Sequence, residues 1–176
     1  MTIPEPQVVY PEAEFQKAVV TVVKAALTEG DRKFVLLERF GLDVAIFMEI
    51  SQRSTAIRFL EVKSFGAQRM GGIGFGNGKG VGPQVDLIIS REESLPLFED
   101  SVRWAFADSR LAPGSSRYAL FTCTAAKRAA MGTVLRGKQN NLRVSALRPF
   151  MVGWTEFCRY VSGFLLATPT EKGHRS

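Results

Sequence analysis

Two periods of hydrophobicity divide the chain. In residues 11–30, Phe15, Ala18, Val19, Val22, Val23 and Ala26 recur at helical spacing and form one apolar face. Pro11 opens this helix, where its missing N–H costs nothing. Glu12 and Glu14 in the first turn suit the positive end of the helix dipole, and Gly30 is the C-terminal stop. The period then shortens. Residues 33–39 read as a first strand. Residues 41–50 and 56–63 read as two more, joined by a hairpin across the polar break Ser51-Gln52-Arg53-Ser54-Thr55.

The second half is patterned less sharply. Residues 84–90 fit a strand or the start of a helix equally, and Asp86 within them reads as structural. A short helix is expected over 95–101, strands over 102–107 and 117–123, and a turn at Pro113-Gly114. A short helix over 125–131 and a last short strand over 142–147 follow. The C-terminal helix carries Phe157, Tyr160, Val161, Phe164 and Leu165 on one face, with Thr155 as its N-cap. The pattern predicts one α/β domain over residues 11–168, an extended segment before it containing Pro4 and Pro6, and a flexible tail over 169–176. No repeat, heptad array or linker interrupts the domain.

Charges on the central strands change this picture. Side chains alternate faces along a strand, so Glu61 and Lys63 point the same way, as do Asp43, Ala45 and Phe47. The hairpin register decides whether the two sets meet. A two-residue loop at Gln52-Arg53 puts Asp43 opposite Val62 and misses. It also lacks the Gly or Asn that such loops favour. A three-residue loop puts Asp43 opposite Glu61 or Lys63, with all three side chains on one face. Two carboxylates and an ammonium on a buried sheet face are costly unless they serve each other or a metal. Two oxygen ligands beside a Lys suit a hard divalent cation such as magnesium, and a structural Glu61–Lys63 ion pair predicts the same residues. Glu12 aligns with Phe15 and Val19, so it either looks toward the strands or simply starts the helix. Glu49 shares the Asp43 face but lies ~20 Å along the strand and stays outside the site.

Two further stretches bear on partners. Residues 66–82 hold eight glycines in seventeen residues, with Arg69 and Lys79 and no acid. The spacing matches neither Gly-x-Gly-x-x-Gly nor a Walker-type loop. Backbone N–H groups there, with Arg69 and Lys79, could wrap a phosphodiester backbone, and Gln68 and Gln84 could reach a base edge or a bound water. Residues 136–143 contain Arg136, Lys138, Gln139, Asn140 and Arg143 without an acid. These are residue types that contact phosphates and bases, although Asn140-Asn141 also suits a plain turn.

Composition narrows the chemistry. The 176 residues carry a formal net charge of +6, which favours a polyanionic partner. The one histidine, His174, sits three residues from the end, which excludes Ser-His-Asp, Cys-His and multi-histidine zinc chemistry. Any catalysis therefore falls to carboxylates, Lys and Arg. Cys123 and Cys158 are too widely spaced to suggest a zinc site. No run reaches the ~18 apolar residues that cross a bilayer, and the first ten residues lack a secretory pattern, so no membrane and a reduced cytoplasmic setting are expected.

An Asp on one strand, then Glu61-Val62-Lys63 on the next, after an amphipathic helix and a first strand, resembles the PD-(D/E)xK nuclease superfamily over roughly residues 12–65. Leu42 stands where that family often has Pro. The resemblance implies a restriction-endonuclease-like fold, a mixed central sheet flanked by helices. It implies catalytic Asp43, Glu61 and Lys63, with Asp43 and Glu61 holding magnesium (manganese as a substitute) and Lys63 assisting the attacking water. Some members add a Glu from the first helix, here Glu12. The expected activity is metal-dependent hydrolysis of nucleic acid, DNA first, with a homodimer or a larger complex as the assemblies considered. A non-catalytic nucleic-acid-binding module is the second expectation, and a protein-interaction domain with an incidental ion pair the third.

Overall fold

The structure is a computed structural model. It describes residues 2–38, 43–51, 54–66, 73–74, 100–122, 141–142 and 144–167. Helix α1 spans Glu12–Glu29 and is followed by strands β1 (Phe34–Glu38), β2 (Val44–Ser51) and β3 (Ser54–Phe65). A two-residue strand β4 (Ile73–Gly74), strands β5 (Val102–Asp108) and β6 (Tyr118–Phe121), and a two-residue β7 (Asn141–Leu142) come next. Helices α2 (Val144–Leu147) and α3 (Trp154–Leu166) complete the order, with a 3-10 turn over Arg148–Phe150 between them.

The five longer strands form one sheet in the order β1-β2-β3-β5-β6. All neighbours are antiparallel except β3 and β5, which run parallel, so the sheet is mixed. The class is α/β. β4 and β7 form a separate antiparallel pair, with Ile73 opposite Leu142 and Gly74 opposite Asn141. That pair joins the glycine-rich run to the edge of the basic 136–143 stretch.

Alternation along the strands sorts the sheet into two faces. Val44, Ile46, Met48, Ala56, Leu60 and Val62 enter the same core as the buried side of α1 and of α3. In α1 that side is Phe15, Val19, Val20, Val22, Val23, Ala26 and Leu27, the expected stripe widened by Val20 and Leu27. Phe15, Tyr118, Trp154 and Phe157 stack into an aromatic cluster with ring centroids 5.0 Å apart for Tyr118 and Trp154 and 5.9 Å for Phe15 and Tyr118. Burial of such rings helps to hold both helices to the sheet. Glu61 and Lys63 belong to the opposite alternation from Leu60 and Val62.

The segment before α1 is extended, as expected, and is tied down. Trp154 Nε1 donates to the Ile3 carbonyl at 2.9 Å. The buried Arg117 guanidinium donates to the Pro6 carbonyl at 2.6 Å and pairs with Glu5 at 3.1 Å. Glu5 also accepts from the Tyr118 hydroxyl and from the Gly114 N–H, both at 2.8 Å. Gly114 has a φ of +83°, the left-handed region that its place in the β5–β6 turn requires.

Several expectations need correction. The strand over 142–147 stops at Leu142, and residues 144–147 turn into α2, because a short apolar run does not distinguish a buried strand from a buried helical turn. The N-cap of α3 is Gly153 rather than Thr155, which lies inside the helix. Tyr160 lies on the exposed side of α3, and Trp154 takes the place expected of it in the core. Pro11 is the N-cap of α1, one position before its first helical residue. Gly30 caps α1 without a left-handed conformation, and the positive φ of 49° falls on Asp31. The expectations over 84–90 and 125–131, most of 95–101, and the 169–176 tail lie outside the described residues.

Candidate active site

The hairpin places the first two acids. Ser51 pairs with Ser54, the closure of a two-residue loop, yet Val44 pairs with Leu60 because the register shifts between Glu49 and Ser51. A β-bulge inserts one residue on the β2 side and flips the remaining strand by one position. Continued one residue further, the register sets Asp43 opposite Glu61. The expected three-residue loop is therefore replaced by a shorter closure and a bulge with the same consequence at the site.

The β2–β3 ladder ends at Val44 and Leu60, whereas β3 runs on to Phe65. The N–H groups of β3 on that side would lose their partners, and carboxylates take over. Asp43 Oδ2 accepts the Val62 N–H at 2.6 Å, and a Ser64 backbone hydrogen bond reaches the Glu12 carboxylate. Lys63 turns into the same gap. Its Nζ lies 2.6 Å from Glu61 Oε1, 3.6 Å from Asp43 Oδ2 and 3.5 Å from Glu12 Oε1, and donates to the Val62 carbonyl at 2.9 Å. Three acids from α1, the start of β2 and β3 thus converge on one ammonium. Glu12 looks toward the strands, the first of its two alternatives.

Burial grades across the group. The Glu61 side chain is 5% exposed, Lys63 16%, Asp43 25% and Glu12 41%. Burial pushes the Glu61 carboxyl up to about 7, against the pull of Lys63 and with the help of Asp43 and Glu12. Glu12 is raised as well, first by burial and then by Asp43, with Lys63 opposing. Burial would depress the Lys63 ammonium, but Glu61, Asp43 and Glu12 together hold it above the ordinary lysine value. Lys63 is therefore a cation at every physiological pH, suited to fixing a water or an anionic oxygen and not to removing a proton.

Sequence reasoning missed four residues at this end of the sheet. Gln16 Nε2 donates to the Asp43 carbonyl at 3.1 Å and holds the residue that enters β2. It lies one helical turn beyond Glu12, the one signal that could have found it. Tyr10 packs against Gly66, where a Cβ would come within 2.8 Å of its ring, so the first glycine of the rich run serves close approach. Asp108, paired with Phe65 at the last rung of β3 and β5, forms a bidentate pair with Arg110 at 2.7 and 2.8 Å, with the Arg110 guanidinium 4.4 Å above Phe65.

Arg69, Lys79, Arg136, Lys138, Gln139, Asn140 and Arg143, with Gln68, Gln84, Asp86, Cys123 and His174, lie outside the described residues. Cys158 is a free thiol that burial pushes up to about 11, an unreactive environment. Glu49, set apart from the site, pairs with Lys33 at 3.6 Å. Among the described residues no group of three His, Cys, Asp or Glu side chains is arranged to hold a metal ion, and no helix is long and apolar enough to cross a membrane. No family model matches the chain, and neither a curated protein nor a solved structure matches it.

Proposed function

We propose that the chain is a magnesium-dependent nuclease on a restriction-endonuclease-like scaffold, acting on nucleic acid and foremost on DNA. One observation carries the reading: Asp43, just before β2, and Glu61, on the neighbouring β3, both lie within 3.6 Å of Lys63 Nζ. The donor chemistry suits a hard cation, although in this structure the three carboxylates are gathered round the Lys63 ammonium and not arranged as a metal site. The donor set is all oxygen, and three carboxylates stand against one ammonium, leaving an excess of negative charge for a divalent ion to neutralise.

Asp43 and Glu61 would hold the ion, with manganese as a substitute. Bound magnesium supplies a Lewis acid and a water of lowered pKa. Lys63 would orient the attacking water and stabilise charge developing on the phosphate. Gln16 keeps the Asp43 backbone in place. The net charge of +6 supports a polyanionic substrate.

A non-catalytic nucleic-acid-binding module is favoured by a different observation: Asp43 and Glu12 already satisfy β3 N–H groups, a structural use for both acids. Incubation with single-stranded, duplex and branched substrates, with and without magnesium, separates the two. The nuclease reading expects cleavage only with the metal. A protein that binds these substrates and cleaves none of them is the module.

A further inference from the structure

Lys63 does not extend from its strand. It curls back so that its Nζ meets the carbonyl of the preceding residue at 2.9 Å and the three carboxylates at 2.6, 3.5 and 3.6 Å. Three carboxylates and a carbonyl are the kind of oxygen sphere that a hard cation takes. We propose that the Lys63 ammonium is the resting counter-cation of this site, and that a divalent cation enters only by displacing it from Asp43 and Glu61. This rests on the metal-binding reading above and adds the order of events at the site.

The physical reason is competition. An ammonium and a divalent ion sharing the same carboxylate oxygens repel at contact distance, and a partly buried site screens that repulsion poorly. Lys63 thus keeps the acids together while the metal is away, and its charge opposes metal binding. Once displaced, the ammonium is free to meet the substrate's phosphate or the attacking water. The device makes the lysine that serves the reaction report whether the metal has arrived.

The test is Mn2+ binding without nucleic acid, followed by the electron paramagnetic resonance signal of free Mn2+, on wild type, Lys63→Gln and Asp43→Asn. Displacement predicts that Lys63→Gln binds Mn2+ at least about tenfold more tightly than wild type, and that Asp43→Asn binds more weakly. Equal or weaker binding by Lys63→Gln, with wild type binding, overturns displacement and leaves the metal site standing. No binding by either protein overturns the metal site and this proposal with it. Should Lys63→Gln lose its circular-dichroism signature, reductive methylation of wild type reads the same event. Labelling of Lys63 rises on adding Mn2+, relative to the exposed Lys17 and Lys33, and labelling that stays level or falls contradicts displacement.

Discussion

Glu61 titrates in surroundings that oppose its charge. Its carboxyl is raised from an ordinary 4.5 to about 7, chiefly by burial. Between those values the folded protein holds a proton that the unfolded chain has released, so stability falls as pH rises through that window. The raised Lys63 acts with the same sign at higher pH: its stabilisation is complete across this window and is lost only as pH rises above the ordinary lysine range. Glu61→Gln removes the first effect. Measured by urea unfolding, the stability deficit of Glu61→Gln relative to wild type narrows by on the order of 2 kcal/mol between about pH 5 and pH 8. A deficit that stays flat with pH contradicts the burial argument. At this scale the sequence was informative where alternation applied: Asp43, Glu61 and Lys63 meet as a shared face requires. It was silent on Gln16, Ser64 and the Val62 carbonyl, because their roles depend on where the β2 ladder stops, which no residue type announces.

Among elements, the hairpin shows how a right consequence can have another cause. The expected register rests on turn chemistry, since Gln52-Arg53 lacks the Gly or Asn of a two-residue loop, but the device is a bulge between Glu49 and Ser51 rather than a longer loop. Bulges carry no residue signature when no glycine marks them. The α1 stripe was legible almost residue for residue because helical periodicity repeats over five turns. The segment before it was legible only as extended. What fixes it is Glu5, the hub for Arg117, Tyr118 and Gly114, through contacts more than a hundred residues away in sequence. Arg117 is 2% exposed, so losing Glu5 strands a buried charge. Glu5→Ala is expected to lower stability by about 3 kcal/mol in urea unfolding. A loss under about 0.5 kcal/mol, typical of a surface change, shows the segment to be incidental to the fold.

For the whole molecule, the α/β class and the central hairpin were readable, but the strand order was not. The parallel pairing of β3 with β5 joins strands separated by a long stretch, and periodicity within each carries no information about its neighbour. The β4–β7 pair was equally hidden, being two residues a side. A surplus of positive charge over the whole chain predicts affinity for polyanions that falls with salt. Contact with about four phosphates loses about a hundredfold in affinity for a fourfold rise in salt. Fluorescence anisotropy of a labelled oligonucleotide checks this, and affinity indifferent to salt speaks for a protein-interaction domain.

The most direct measurement is cleavage by wild type, Asp43→Ala and Lys63→Ala on the same nucleic acids, in magnesium and in a chelator, with anisotropy run alongside. The account predicts products only for wild type with magnesium, and nearly unchanged binding for both variants. Wild type that leaves every substrate intact in magnesium and in manganese, or variants that cut as well as wild type, would contradict it.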